Sequence, residues 1–386
     1  MRDFDIVVFG ATGFTGRLVV EYLTQTGATR WAMAGRDLAK LAQVRDAVGA
    51  LADTPLLTAD ADDHVSLRTL AERTTVVLTT VGPYQLYGSA LVAACAATGT
   101  AYVDLCGEPA WMRQMIDAHQ DETKHTGARI VFSCGFDSIP FDLGVLTLQD
   151  AAKARYGAPA PRVKCRVRTM KGGFSGGTAA SLKATLAAAA RDPSLIKLLA
   201  SPFALTPGFS GIRQPTGLIP EYDATIQAWV APFIMAPINT KNVHRTSFLL
   251  GQAYGTDFVY DEMVVAGLGD IGRAAAEALA KLNPLASDKG PKPGEGPSKE
   301  ERDTGHYDIL FAGLMPDGSR IDTIVTGDRD PGYGSTSKMI AETALLLAES
   351  AHAGGHQGGI WTPGALLGTK LRDRLEARAG LTFTTE

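Results

Sequence analysis

The chain has 386 residues, 37 Lys plus Arg against 41 Asp plus Glu, and a formal charge of −4. That balance lacks the surplus of cations with which a nucleic-acid binder displaces counterions. With 45% hydrophobic and 20% charged residues the composition excludes a disordered chain,, and at about 150 residues per domain the length suggests two domains or one with a large insertion.

In chain order, short apolar strands are expected at 4–10, 30–35, 54–59, 75–82, 101–106 and 128–134, with helical patterns between them at 15–26, 37–48, 63–73, 88–98 and 109–125. Strand and helix in strict alternation predict a doubly wound parallel sheet, because parallel neighbours need a crossover to return to the same end. Runs such as VVLTTV are apolar on both faces, as a sheet covered on both sides requires,. The chain enters this pattern at Phe4 with no basic, apolar leader before it, so no signal peptide is expected,. Cys95, Cys106, Cys134 and Cys165 form no CxxC pair, which fits reduced thiols and a cytoplasmic protein,.

After Gly135 the rhythm changes. A helix over 137–155 runs into Gly157-Ala-Pro-Ala-Pro161, a natural boundary,. An alternating strand at 162–170, a glycine-rich loop, a helix at 178–191 and a hairpin over 305–326 around Met315-Pro-Asp-Gly318 predict an α+β second domain with an antiparallel sheet,. Residues 283–304 read as a long loop, either a linker or a lid, followed by helices at 335–350 and 361–378,. The expected division is 1–156 for the Rossmann domain, 157–330 for a substrate or oligomerisation domain, and 331–386 for helices returning to the first domain.

Chemistry concentrates at strand ends. Gly10-Ala11-Thr12-Gly13-Phe14-Thr15-Gly16 follows the first strand and opens the first helix, where glycines permit a tight turn and free N–H groups meet a pyrophosphate,. The second strand ends Ala34-Gly35-Arg36. An NAD site would place an acid here, whereas the Arg36 fork suits a 2′-phosphate, with Lys40 as a second candidate and Asp37 as the cap of the next helix,. NADP(H) is therefore the expected cofactor. Val81, Gly82 and Pro83 should face the nicotinamide half, and Tyr84 is a candidate proton donor or a packed aromatic,. Asp104 and Glu108 follow the fifth strand, and Cys134-Gly-Phe-Asp137-Ser138 the sixth. Asp104 is a candidate relay or substrate-orienting group, and Asp137 with Ser138 reads better as a helix cap.

Taken together, GATGFTG, the AGR strand end, VGPY, YVDLCGE and CGFDSIPFDLG resemble the saccharopine dehydrogenase-like oxidoreductases, within them the mycobacterial trans-acting enoyl reductases. The resemblance continues through Gly173-Phe-Ser-Gly-Gly-Thr178, APFIMAPIN and Pro293-Gly-Glu-Gly-Pro-Ser298. It implies an NADP-type Rossmann domain with an inserted substrate domain. It also implies a stand-alone partner of polyketide synthases that reduces a carbon–carbon double bond on a lipid precursor, presented by a carrier domain.

The insert itself offers two further features. Arg162, Lys164, Arg166 and Arg168 alternate with Val163, Cys165 and Val167, so one strand face carries four cations, either a solvated face or a surface for a phosphopantetheine arm, carrier protein or anionic lipid,. The stretch Ala228 to Pro237 reads as core or as the wall of an apolar tunnel; the run Ile226 to Ile238 that contains it is too short to span a bilayer but could touch one peripherally,. An antiparallel sheet could also pair with a second copy in a homodimer. His352 and His356 lie in a glycine-rich stretch not expected to be helical, and no metal is predicted,. Alternative functions are a saccharopine-type amino-acid oxidoreductase and a non-catalytic NADP-binding protein at membranes or lipid assemblies.

Overall fold

The computed structural model describes residues 2–28, 30–172, 176–282, 294–353 and 357–386. Its first six strands are β1 (Phe4–Phe9), β2 (Trp31–Gly35), β3 (Leu56–Thr58), β4 (Thr74–Thr79), β5 (Ala101–Val103) and β6 (Arg129–Val131). Then come β7 (Arg162–Lys171), β8 (Glu221–Asp223), β9 (Ala228–Pro232), β10 (Val259–Gly267), β11 (His306–Leu314), β12 (Arg320–Gly327), β13 (Gly359–Trp361) and β14 (Leu381–Thr385).

These strands make two seven-stranded sheets. The first, ordered β13-β6-β5-β4-β1-β2-β3, is parallel throughout, with helices as crossovers; β1, β2 and β4 are almost continuously buried because both faces are covered,. The second, ordered β14-β12-β11-β7-β10-β9-β8, is antiparallel except where β7 and β10 run parallel. The last segment supplies an edge strand to each sheet, β13 to the first and β14 to the second. One apolar core continues from the first sheet into the second through Val8, Leu78, Phe136, Phe141, Cys165 and Phe311, and another covers the opposite face of the first sheet through Val7, Phe9, Val77 and Tyr102.

The helix Ile139–Tyr156 lies against β11 and β12 and is buried along most of its length. Its Asp142 carboxylate accepts the Thr246 hydroxyl at 2.5 Å and the Gly364 N–H at 2.7 Å, tying three distant segments together. The apolar stretch 226–238 divides in two: β9 ends at Pro232, and Pro237 falls in the first turn of helix Ala236–Leu249, where a missing N–H costs nothing,.

Several expectations need correction. The supposed loop 283–304 contains a short helix, Lys299–Thr304, opened by a capping box between Ser298 and Glu301; residues 283–293 lie outside the described residues,. Helix Thr336–Ala353 includes His352, against the expectation of an irregular stretch, while His356 and Gly173 to Ser175 lie outside the described residues. The helix expected over 361–378 is preceded by β13 and broken into Pro363–Leu366 and Gly368–Arg378.

The cationic face of β7 is not free: all four cations are paired, from the buried Arg166 to the exposed Arg168. Arg162 pairs with Asp261, and Lys164 reaches Asp223 at 2.8 Å. Arg166, fully buried, bridges Asp223 and Asp261 at 2.7 Å each, and Arg168 holds Asp308 with both arms of its fork. The alternation was legible, but the acids that neutralise it come from β8, β10 and β11, up to 140 residues away.

Candidate nucleotide site and the strand-end loops

Three turns meet at the carboxyl ends of the first sheet. Gly10 is left-handed (φ +90°), and a side chain there would strike Val81 at 2.7 Å, so the glycine turn and the loop after β4 touch,. Gly16 is required for a different reason: a Cβ would sit 2.2 Å from the Gly10 carbonyl oxygen. Gly13, the N-cap of helix Phe14–Thr26, is exposed, and a Cβ on it would meet only the Gly10 oxygen, at 3.3 Å. No side chain caps this helix. Ala11, Thr12, Phe14 and Thr15 complete the turn, whose open face and uncapped N–H groups suit a diphosphate,.

β2 is stitched to this turn, since the Gly10 and Ala11 N–H groups both donate to Ala34 O. Arg36 therefore leaves the sheet beside the glycine turn, exposed and, among the described residues, without an ion-pair partner. Asp37 caps the next helix by accepting the Lys40 N–H at 3.1 Å, and Lys40 is exposed 3.7 Å from the same carboxylate. The acid after Arg36 is thus occupied by a capping role.

The loop after β4 places Val81, Gly82 and Pro83 on the same rim, with Gly82 exposed. Tyr84 is buried: its hydroxyl accepts the Leu105 N–H at 3.1 Å and donates to Thr79 O at 3.4 Å. Burial and the nearby Asp104 push the phenol well above its usual range. Glu108 caps the same turn, its carboxylate accepting the N–H groups of Tyr84 and Gln85 at 2.9 Å each.

Asp104 is fully buried and has no vacant oxygen. One oxygen accepts the N–H groups of Cys106 and Ser133, the other the Tyr102 hydroxyl. Burial raises its carboxyl to about 7, against the opposing pull of those three donors,. Tyr84 and Asp104 therefore brace the loops after β4, β5 and β6 against one another.

Asp137 departs from its expected capping role. Helix Ile139–Tyr156 begins at Ser138 with no side-chain cap; one Asp137 oxygen is buried without a hydrogen-bond partner, and burial lifts this carboxyl to about 7. Facing it is a cluster that the sequence did not announce. The Asn242 amide donates to Ser138 Oγ at 2.8 Å, and the Asn239 amide and Tyr260 hydroxyl donate to Glu262 at 2.9 and 2.8 Å. Burial holds Glu262 well above the carboxylate range, with Asp137 adding to the effect. Neither helix Ala236–Leu249 nor β10 carries a local motif, so nothing in the sequence pointed to these polar residues. All four cysteines are buried free thiols, and among the described residues no group of three His, Cys, Asp or Glu could hold a metal.

Residues 6–131 match the family described as the saccharopine dehydrogenase NADP binding domain. A Mycobacterium tuberculosis (strain H37Rv) protein, provisionally named a trans-acting enoyl reductase, is 41% identical over 100% of this chain and 98% of its own length. The trans-acting enoyl reductase of Mycobacterium ulcerans is 36% identical over 97% of this chain and 96% of its own. Among solved structures, apo saccharopine dehydrogenase (L-Glu forming) from Saccharomyces cerevisiae superposes with a TM-score of 0.57 at 10% identity, over 99% of both chains.

Proposed function

Since the chain belongs to the saccharopine dehydrogenase-like oxidoreductases, in their mycobacterial trans-acting enoyl reductase branch, and carries an NADP-binding domain, we propose that this NADP-dependent oxidoreductase reduces a carbon–carbon double bond of a lipid or polyketide acyl chain. Residues 1–156 would hold the nucleotide, 157–330 the substrate, and 331–386 would brace the first unit. The observation that carries the reading is likeness to relatives of that name along the whole chain, the substrate half included.

The fold supports an apolar substrate over a dicarboxylate amino acid, the saccharopine-type alternative. A dicarboxylate needs converging free cations, whereas Arg162, Lys164, Arg166 and Arg168 are committed to aspartates and Lys241 and Arg245 are buried against backbone carbonyls.

The chain's own residues divide the work. The Gly13 N–H closes the turn on the Gly10 carbonyl at 2.9 Å, which leaves the backbone N–H groups of Phe14 and Thr15 to receive the diphosphate, and Arg36, assisted by Lys40, holds the 2′-phosphate,. Val81, Gly82 and Pro83 line the nicotinamide end. Tyr84 and Asp104 position those loops. When bound, reduced nicotinamide supplies a hydride, and a proton must reach the adjacent carbon. The acyl chain would arrive on a polyketide synthase carrier domain. Peripheral contact with a membrane and pairing with a second copy belong to the same proposal; no helix among the described residues is long and apolar enough to cross a bilayer.

The test is NADPH oxidation with enoyl thioesters and, in parallel, with amino-acid substrates. Turnover of the enoyl thioester alone is expected. NADPH binding without turnover of either class would favour the non-catalytic alternative, and turnover of the amino acid alone would favour the saccharopine-type one.

A further inference from the structure

The glycine turn is gripped by residues nearly three hundred positions further along. Phe14, whose N–H opens the first helix, has its ring enclosed on three sides. Tyr333 meets it edge-on at 5.1 Å between centroids, and the Arg302 guanidinium lies 5.7 Å from its centroid. Gly296 is seated so closely that a Cβ would fall 2.4 Å from the Phe14 ring. The contact is built. The capping box preorganises Lys299–Thr304, Arg302 donates to Pro297 O at 2.7 Å, and the Arg302 carbonyl accepts the Asp330 N–H at 3.0 Å. Asp330 in turn accepts the N–H groups of Tyr333 at 3.1 Å and Gly334 at 2.6 Å, fixing the π-helical turn Pro331–Ser335 that carries Tyr333.

Neighbouring cations of this segment are paired, Lys299 with Asp303 and Arg329 with Asp303 and Asp328. Arg302 is different: among the described residues no carboxylate lies within ion-pair distance of it. Asp303 and Asp330 act on this guanidinium only beyond ion-pair distance, and the positive end of the uncapped thirteen-residue helix beside it repels a half-buried cation,. An anion shared by the helix N-terminus and the guanidinium would reverse the sign of that interaction, and a guanidinium with one N–H bonded still has four to offer.

We propose that Arg302 is a phosphate-contacting residue of the nucleotide site, supplied by the second half of the chain to the NADP(H) diphosphate. This rests on the reading that the glycine turn takes that nucleotide. It makes cofactor affinity depend on the docking of 294–304 onto Phe14, so the segment that leads into β11 of the second sheet reports on whether the nucleotide is present.

The experiment is fluorescence titration of NADPH and NADH into the full chain and its R302M, R302K and R36A variants, with thermal midpoints in parallel. R302M keeps an aliphatic side chain and removes the guanidinium, with its charge and its bond to Pro297 O,. It is expected to weaken NADPH and NADH alike by about tenfold or more, as loss of a charged hydrogen bond does, with a shallower salt dependence and a two-state unfolding transition retained; R302K should recover part of the loss. R36A should weaken NADPH alone. Wild-type affinity of R302M for both nucleotides, or a loss confined to NADPH, would overturn the assignment. If wild type bound neither nucleotide, the cofactor reading itself would fail.

Discussion

Asp104 shows how one side chain links loop architecture to pH. Burial raises its carboxyl to about 7 in the folded state, against about 3.9 in an unfolded chain. The folded state therefore holds the proton more tightly, and this contribution to stability is complete below about pH 4 and is lost as pH climbs through 7. Asp137 and Asp142 titrate in the same window for the same reason. An Asn at 104 can keep the bonds from Cys106 and Ser133 and donate to the Tyr102 oxygen, without the buried charge,. D104N is expected to be more stable than wild type at pH 8 by a few kcal/mol at most, on the order of the pKa shift it abolishes, and to show a flatter urea midpoint between pH 5 and 8. An unaltered profile would mean that Asp104 is not buried as a titrating acid. At this scale the sequence was readable where the chemistry is local. The glycine turn and the Asp37 cap follow from neighbours within a few positions, whereas the braced state of Tyr84 and Asp104 depends on partners on other strands.

Among the elements, β7 carries the clearest energetic stake. Arg166 has no exposure, and its two aspartates are nearly as buried. R166M would strand Asp223 and Asp261 without their shared partner, at a cost of about 3–5 kcal/mol for a broken buried pair. Combining it with D223N and D261N should restore part of that loss in urea unfolding, because the two buried acids are neutralised while Arg162 and Lys164, which lose them as partners, are part-exposed and keep water; additive losses would refute the ladder. Elements were legible in proportion to their length and period. The six strands of the nucleotide unit and the β11–β12 hairpin declare themselves by continuous or alternating apolar runs. The three-residue strands β8 and β13 lack the strand–helix alternation that exposes the equally short β3, β5 and β6, and helix Ala236–Leu249 carries a proline in its first turn,.

For the molecule as a whole, the last thirty residues hold both sheets at once. β13 closes one edge of the parallel sheet and β14 one edge of the other; Gly364 meets Asp142, and Arg374 pairs with Glu342, whose carboxylate also receives the Tyr22 hydroxyl at 2.6 Å. A chain ending at residue 356 is expected to lose cooperative unfolding, followed by circular dichroism, together with nucleotide binding, since it opens two sheet edges and the core beneath them. Retention of either would show that the sheets stand without this clasp. By itself the sequence determined the parallel nucleotide fold and its glycine turn, because strand period, turn glycines and helix starts are set by residues close in the chain. Only the tertiary structure decided that the basic row of β7 is spent on aspartates, that Asp137 caps nothing, and that Gly296, Arg302 and Tyr333 close on Phe14. Each of those depends on partners a hundred or more residues apart, or on a burial that no local pattern records.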